Sequence, residues 1–387
     1  MTTTAGPRPV RPWTVPRSAR CEAPTLPACY LVRFGETSRR APAGRGTVEG
    51  RIGGPLAAAV IGSTGRTMLD HPADQDEAEP VGFHHRPVMV DQVLEVLRKA
   101  PSGIILDATL GGGGHTEAIL EARDDVRVVG IDRDDQALAA AGSRLAPFGD
   151  RIQLERCAFV DLGSVLDGLG IDGLTGFLFD LGVSSPQLDH ADRGFSYRVA
   201  GPLDMRMDRR QTLTADQVVN GYDEAAFARL LVDNADERHA RRIARAVVAQ
   251  RPISDTASLA EIIRNAIPAP ARRRGGHPAK RTFQAIRIEV NGELEQLADS
   301  LDEAIRRLVP GGRGAVLSYH SGEDRIVKRR FDQAATGGCA CPPRLPCACG
   351  AVSLAVLARR AGRVPDEAEA AGNRRAASAR LRTLERR

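Results

Sequence analysis

Apolar residues along this chain follow two rhythms, and the change between them outlines the fold. From about residue 83, short apolar runs ending in an acid alternate with stretches of helical period. Pro87-Val-Met-Val-Asp-Gln-Val-Leu-Glu-Val-Leu97 places Val90, Val93, Leu94 and Leu97 at helical spacing. Gly103-Ile-Ile-Leu-Asp-Ala-Thr109 is too short for a helix and reads as a buried strand running into four glycines. A helix from about His115 to Ala122 follows, then a second strand, Val126-Arg-Val-Val-Gly-Ile-Asp132, and a helix from Asp134 to Leu145. Ile152 to Glu155 and Gly176-Phe-Leu-Phe-Asp180 supply two more strands with a helical segment between them. Such alternation predicts an α/β fold, a parallel sheet with helices on both faces.

The rhythm breaks after Leu188. From about 190 to 295 the pattern predicts loops and charged amphipathic helices without a strand: Thr214 to Asn220, Glu224 to Asn234, Glu237 to Gln250 and Ser258 to Ala266. It resumes with a long helix from Gly292 to Leu308 and a strand, Gly314-Ala-Val-Leu-Ser-Tyr-His320; the tail beyond about 364 reads as helical and basic at its end. The expected layout is a core from 81–189 and 296–387 with an inserted helical substrate-recognition domain at 190–295. Residues 1–80 are rich in Pro, Arg, Gly, Ala and Thr with no sustained period. They read as a disordered extension, or as the product of an upstream start codon, Met68 lying just before the globular part.

Composition narrows the class. Hydrophobic residues make up 42% and charged residues 27% of the 387, as in a globular protein. Aromatic residues are only 4%, which excludes widespread base stacking on aromatic platforms, and the net charge of +5 suits a polyanionic partner without requiring one. No apolar run is long enough to span a bilayer and no export signal is evident. The seven cysteines are odd in number and unevenly placed, so the reading is reduced thiols and a cytoplasmic protein with no membrane partner.

Ligands of an open parallel sheet sit beyond the carboxyl ends of its strands. Asp107, the loop Gly111-Gly112-Gly113-Gly114-His115, Asp132 and Asp180 all fall at such ends. The glycines let a ligand approach the backbone closely. Their spacing does not fit G-x-G-x-x-G, since Thr116 or Glu117 takes the third slot, and no GK[ST] follows. A glycine loop with an upstream acid suits a cationic ligand without phosphates, which S-adenosylmethionine is. Asp132 can accept both ribose hydroxyls, or cap the following helix. Phe159 can flank the adenine or belong to the core.

The segment Asp180-Leu-Gly-Val-Ser-Ser-Pro-Gln-Leu-Asp189 follows the fourth strand. A base amino group is a poor nucleophile, so acceptors must draw it toward tetrahedral geometry and take its proton. Asp180 and backbone carbonyls near Ser185 and Pro186 are the candidates, with Gln187 on donor or base; the plainer alternative is a strand-ending turn.

Together with His85-x-Pro87-Val, Gly130-Ile-Asp-Arg-Asp134, Arg193-Gly-Phe-Ser-Tyr197, Pro202-Leu-Asp-Met-Arg-Met-Asp208, Gly276-His-Pro-Ala-Lys-Arg-Thr-Phe-Gln-Ala-Ile-Arg287, Val290-Asn-x-Glu-Leu294 and Ser318-Tyr-His-Ser-x-Glu-Asp-Arg-Ile-Val-Lys328, these segments closely resemble the RsmH (MraW) family. The resemblance runs from roughly 83 to 387. It implies a class I, Rossmann-like, S-adenosylmethionine-dependent methyltransferase core with an inserted all-helical domain. The implied reaction is methylation of a cytosine N4 in 16S ribosomal RNA of the small ribosomal subunit, at cytosine 1402. It also implies that Gly112, Gly113, Gly114, His115, Asp132, Phe159, Asp180 and Gln187 contact the donor. The chain departs at Gly322, where leucine is usual, and at Ala377, where arginine is usual. Oligomeric state stays open, a homodimer included.

Two further features complete the reading. Arg272-Arg273-Arg274 with Lys280-Arg281, and Lys328-Arg329-Arg330, can neutralise RNA phosphates or be solvated faces. The target base must be splayed to reach the donor. Cys339, Cys341, Cys347 and Cys349 are spaced C-x-C rather than C-x2-C, so the expectation is a reduced loop with no metal. Two rival readings are a DNA amino-methyltransferase, which would carry D/N/S-P-P-Y where this chain has Ser185-Pro186-Gln187, and a non-catalytic ribosome-assembly factor, which would show a degraded donor loop.

Overall fold

The computed structural model describes residues 87–272, 276–342, 348–358, 362–373 and 375–387, with Ser185 described by its backbone only. The expectations for residues 1–80, Arg273, Arg274 and Cys347 lie outside these residues.

The first half of the core alternates as the apolar pattern predicts. Its elements are α1 (Val90–Leu97), β1 (Gly103–Asp107), α2 (Gly114–Ala122), β2 (Val126–Asp132), α3 (Asp135–Leu145), β3 (Ile152–Arg156), α4 (Leu162–Gly168), β4 (Leu174–Asp180) and α5 (Ser185–Asp189). Then come α6 (Glu224–Ala235), α7 (Ala240–Ala249), α8 (Thr256–Ala266), α9 (Ala269–Arg272) and α10 (Lys280–Asn291). The chain returns through α11 (Glu293–Arg307), β5 (Leu308–Ser318), α12 (Ser321–Thr336), β6 (Ala355–Leu357), α13 (Glu367–Gly372) and β7 (Arg380–Arg386).

The strand order is β3-β2-β1-β4-β5-β7-β6. β3 to β5 are parallel; β7 runs antiparallel to both β5 and β6. Asp107 lies opposite Gly130 and Leu178, and Asp180 opposite Leu317, so the acidic strand ends share one edge of the sheet. The chain reverses its direction of growth between β1 and β4, where such sheets open a ligand crevice.

Period-two alternation sorts the strands' side chains onto two cores. Leu106, Val129, Phe177, Phe179 and Val316 pack on one face with α4, α11 and α12. Ile105, Val128, Leu178, Ala315 and Leu317 pack on the other with α1, α2 and α3. A third cluster is drawn mainly from Phe195 to Val290, including Phe227, Leu231, Ile243, Leu259 and Phe283.

The C-terminal tail corrects the sequence expectation. Leu381 and Leu384, three apart, look helical, but in β7 they serve opposite faces, Leu381 in one core and Leu384 in the other. Arg382 between them is buried and pairs with Asp324 at 2.6 Å. The sequence reading also has no helix where α10 stands. Of the two departures from the family pattern, a Cβ on Gly322 would fall 3.2 Å from the His320 ring, and Ala377 is exposed.

Candidate active site

The glycine loop is shaped by what presses on it. Gly113 has φ 79°, and a Cβ there would sit 3.1 Å from Leu145; one on Gly114 would sit 2.7 Å from Pro87. Gly112 differs: a Cβ there meets nothing within 4 Å. The loop is therefore packed against the protein at Gly113 and Gly114 and open at Gly112, which leaves a backbone cradle for a ligand.

Asp107 holds this loop from below. It is buried, and accepts the Thr109 N–H at 3.2 Å and the Thr116 hydroxyl at 2.7 Å. Burial raises its carboxyl above the ordinary range, against the opposing pull of Thr116. These hydrogen bonds brace the start of the loop and of α2 from the end of β1.

Asp132 reaches the same loop from β2. It accepts the Gly111 N–H at 2.8 Å and the Asp134 N–H at 2.9 Å, and is only partly exposed. Burial pushes its carboxyl up to about 6, with those two N–H groups opposing. The helix-cap alternative falls to Asp134, whose carboxylate accepts the Gln136 N–H at 3.0 Å at the start of α3.

Asp134 is also the centre of a buried network. Its second oxygen accepts from the Gln187 amide at 2.9 Å and the Arg193 guanidinium at 2.7 Å. Gln187 accepts in turn from the Ser184 N–H, completing a capping box on α5. Gln187 is thus a buried brace whose polar atoms are engaged within the protein. Arg193, 2% exposed, further donates to Gln136 and to the carbonyls of Arg206 and Met207. Asn291 completes the clamp, accepting from the Met207 N–H and donating to the Met205 carbonyl, both at 2.8 Å. Met205 is buried with φ 56°, a conformation that a non-glycine residue keeps only when its surroundings enforce it.

A second set of residues surrounds Asp180 at the end of β4. Its backbone N–H donates to the Thr109 hydroxyl at 2.5 Å, which ties β4 to the start of the glycine loop. The Tyr319 hydroxyl donates to one carboxylate oxygen at 2.6 Å. The other oxygen lies 3.5 Å from His115 Nε2, and His115 is buried with neither ring nitrogen hydrogen-bonded within the described residues. Burial and the Asp180 charge raise the Tyr319 hydroxyl above its ordinary range, so it stays a proton donor.

Ser185 and Pro186 form the first turn of α5, Pro186 is exposed, and its carbonyl already accepts the His190 N–H at 3.1 Å. Of the acceptor candidates, Asp180 is the one whose side chain lies against the glycine loop, through His115. Phe159 joins neither set among the described residues; its ring lies 5.5 Å from that of Phe179, with Arg133 over it at 5.7 Å. Sequence reasoning assigned no role to Tyr319, Arg193 or Asn291. Tyr319 had one usable signal: it directly follows β5, whose end neighbours that of β4. In the basic runs, Arg330 pairs with Asp302 at 3.2 Å and Arg281 donates to the Asp236 carbonyl, so these two are partly committed within the protein.

A family model described as the MraW methylase family matches residues 82–387. The chain belongs to that family. It is 51% identical over 309 residues to the Ribosomal RNA small subunit methyltransferase H of Heliobacterium modesticaldum, covering 78% of this chain and 98% of that one. The protein of the same name from Thermobifida fusca is 52% identical over 310 residues, covering 78% and 93%. Among solved structures, a rRNA methylase from Streptococcus thermophilus is similar at a TM-score of 0.34 and 12% identity, over 77% of this chain and 93% of that one. By its membership of the methylase family and its strand order, the seven-stranded sheet is the Rossmann-like core of a methyltransferase, and no helix of the described residues is long and apolar enough to cross a membrane.

Proposed function

We propose that this chain transfers a methyl group from S-adenosylmethionine to the exocyclic N4 of a cytosine in 16S ribosomal RNA, at position 1402 of the small subunit. One observation carries the reading: a carboxylate, Asp180, is held by the Tyr319 hydroxyl and stands 3.5 Å from His115, beside an open glycine cradle. The names of the relatives support the ribosomal target.

The residues fit the donor. Gly112 offers open backbone, Asp132 has lone pairs left for two ribose hydroxyls, and His115 brings unpaired nitrogens to the same edge. When bound, S-adenosylmethionine supplies an electrophilic methyl on a sulfonium. Asp180 accepts a hydrogen bond from the cytosine amino group, which concentrates its lone pair on nitrogen for attack. Transfer of that methyl, with the S–C bond broken as the N–C bond forms, would leave the positive charge on the amino nitrogen. That nitrogen then releases one proton toward Asp180. Tyr319 orients the carboxylate throughout. The helical segment 190–295, clamped to the donor edge through Arg193 and Asn291, is assigned to gripping the splayed RNA. The substrate places the reaction in the cytoplasm.

Asp132 gives this donor site a pH signature. Protonation removes its acceptor capacity, so donor affinity is expected to fall as pH drops through about 6. The folded chain binds this proton more readily than the unfolded one, whose ordinary value is 3.8. The same group therefore favours folding more as pH falls from about 6 toward 3.8, opposite in sign to its effect on binding. In titration calorimetry, Asp132→Ala is expected to weaken the donor by about 1–3 kcal/mol and to abolish the pH step. An unchanged affinity, or the same pH step in the variant, would refute the ribose role.

The function itself is tested by offering tritiated donor with small ribosomal subunits from a strain lacking this protein, and separately with duplex DNA. Label in the ribosomal RNA alone is the expected result. Label in DNA favours the amino-methyltransferase of DNA, and label in neither favours a non-catalytic assembly factor.

A further inference from the structure

The chain between α12 and β6 gathers thiols and little else. It leaves the helix at Gly337 with φ 63°, and the Leu354 N–H returns to the Ala334 carbonyl at 2.8 Å, so the segment is closed at its base. A Cβ on Gly337 would fall 2.4 Å from the Val352 carbonyl oxygen, a measure of how tightly the two ends pass. Between them, none of the described residues from 337 to 354 is buried, and Val352 is 70% exposed. Among its described residues the lobe has no apolar core to offset the entropy of ordering it. What converges instead is sulfur. The Sγ atoms of Cys339, Cys341 and Cys349 lie within 4.8 Å of one another, and none is in a disulfide. The Cys341 N–H donates to the Cys339 sulfur at 3.4 Å, and the N–H groups of Ala348 and Cys349 act on the Cys341 sulfur.

We propose that Cys339, Cys341 and Cys349 form a thiolate site for a zinc ion that holds this lobe closed. Sulfurs bound tetrahedrally to zinc at about 2.3 Å stand about 3.8 Å apart, so the observed group needs to contract by at most about 1 Å. Each thiol releases its proton to solvent as the metal binds, and the N–H···S bonds favour the thiolates so formed. Zinc takes four ligands, which leaves one position for water or a further donor. The C-x-C spacing that argues against a single zinc knuckle ceases to matter, because the ligands come from both limbs of a closed loop. This site is independent of the methyl-transfer chemistry.

The test is elemental analysis of the full chain purified under reducing conditions with zinc present. About one zinc per chain is expected in the parent protein, with most of it lost in Cys341→Ser and in Cys349→Ser. Unchanged far-ultraviolet circular dichroism of both variants separates loss of the site from loss of the fold. Metal-free chain titrated with cobalt is expected to develop thiolate-to-cobalt charge-transfer absorption, absent from either variant. A parent chain without zinc that also yields no such band overturns the proposal. So does equal zinc in the variants, or a Cys341–Cys349 disulfide in the parent protein by mass spectrometry.

Discussion

Asp180→Ala is expected to lower methyl transfer by roughly 10²–10⁴-fold, the range spanned by removing a positioned proton acceptor. The loss should fall on kcat, because the carboxylate matters most when the amino group becomes cationic, whereas the loop and Asp132 hold the donor. Structurally the substitution is mild. Asp180 is at a strand end, its side chain is 25% exposed, and its backbone N–H bond to Thr109 survives. Tyr319 loses its acceptor but stands next to the open edge, where water can replace it. Tyr319→Phe should give a smaller loss of kcat with little change in donor affinity, since it removes only the group that orients the carboxylate. Equal turnover in Asp180→Ala and the parent protein would move the acceptor elsewhere in the crevice.

Arg193→Met is expected to produce the largest loss of stability. The guanidinium is 2% exposed and supplies donors to Asp134, Gln136 and two carbonyls. Methionine fills much of the volume but leaves the buried Asp134 carboxylate with the Gln187 amide and a backbone N–H alone. Breaking a buried pair from one side typically costs about 3–5 kcal/mol. Denaturant unfolding should show it as a lower midpoint, and a second change, Asp134→Ala, should recover part of the loss by removing the stranded charge. A cost below about 1 kcal/mol would mean that the pair behaves like an exposed one. Because Arg193 joins the first turn of α3 to the Met205–Met207 turn, donor affinity should fall in parallel.

The strands β1, β2 and β4 were readable because each is a short, largely buried apolar run ending in an acid, whereas β3 is a half-buried edge strand placed by the alternation around it. The edge proposed to hold the donor was marked by the same acids and by Gly111 to Gly114. β7 was not readable: charged residues interleave with leucines whose spacing mimics a helix, and only the sheet shows that both its faces are covered. α10 was hidden because the long motif from Gly276 to Arg287 begins in turn residues. The roles of Tyr319, Arg193 and Asn291 depend on contacts between residues 139, 59 and 84 apart in sequence, which no local pattern encodes. The motif also drew attention to the carbonyls near Ser185 and Pro186, of which that of Pro186 accepts the His190 N–H within the α5 turn.

The most direct measurement is the identity of the modified nucleoside. Small subunits from a strain lacking this protein are incubated with donor and either the parent chain or Asp180→Ala, and the 16S RNA is digested and analysed by mass spectrometry. N4-methylated cytidine, mapped to position 1402 and formed only by the parent chain, is the expected result. A methyl group on carbon 5, on a ribose oxygen or on another base would contradict transfer to an amino nitrogen beside Asp180.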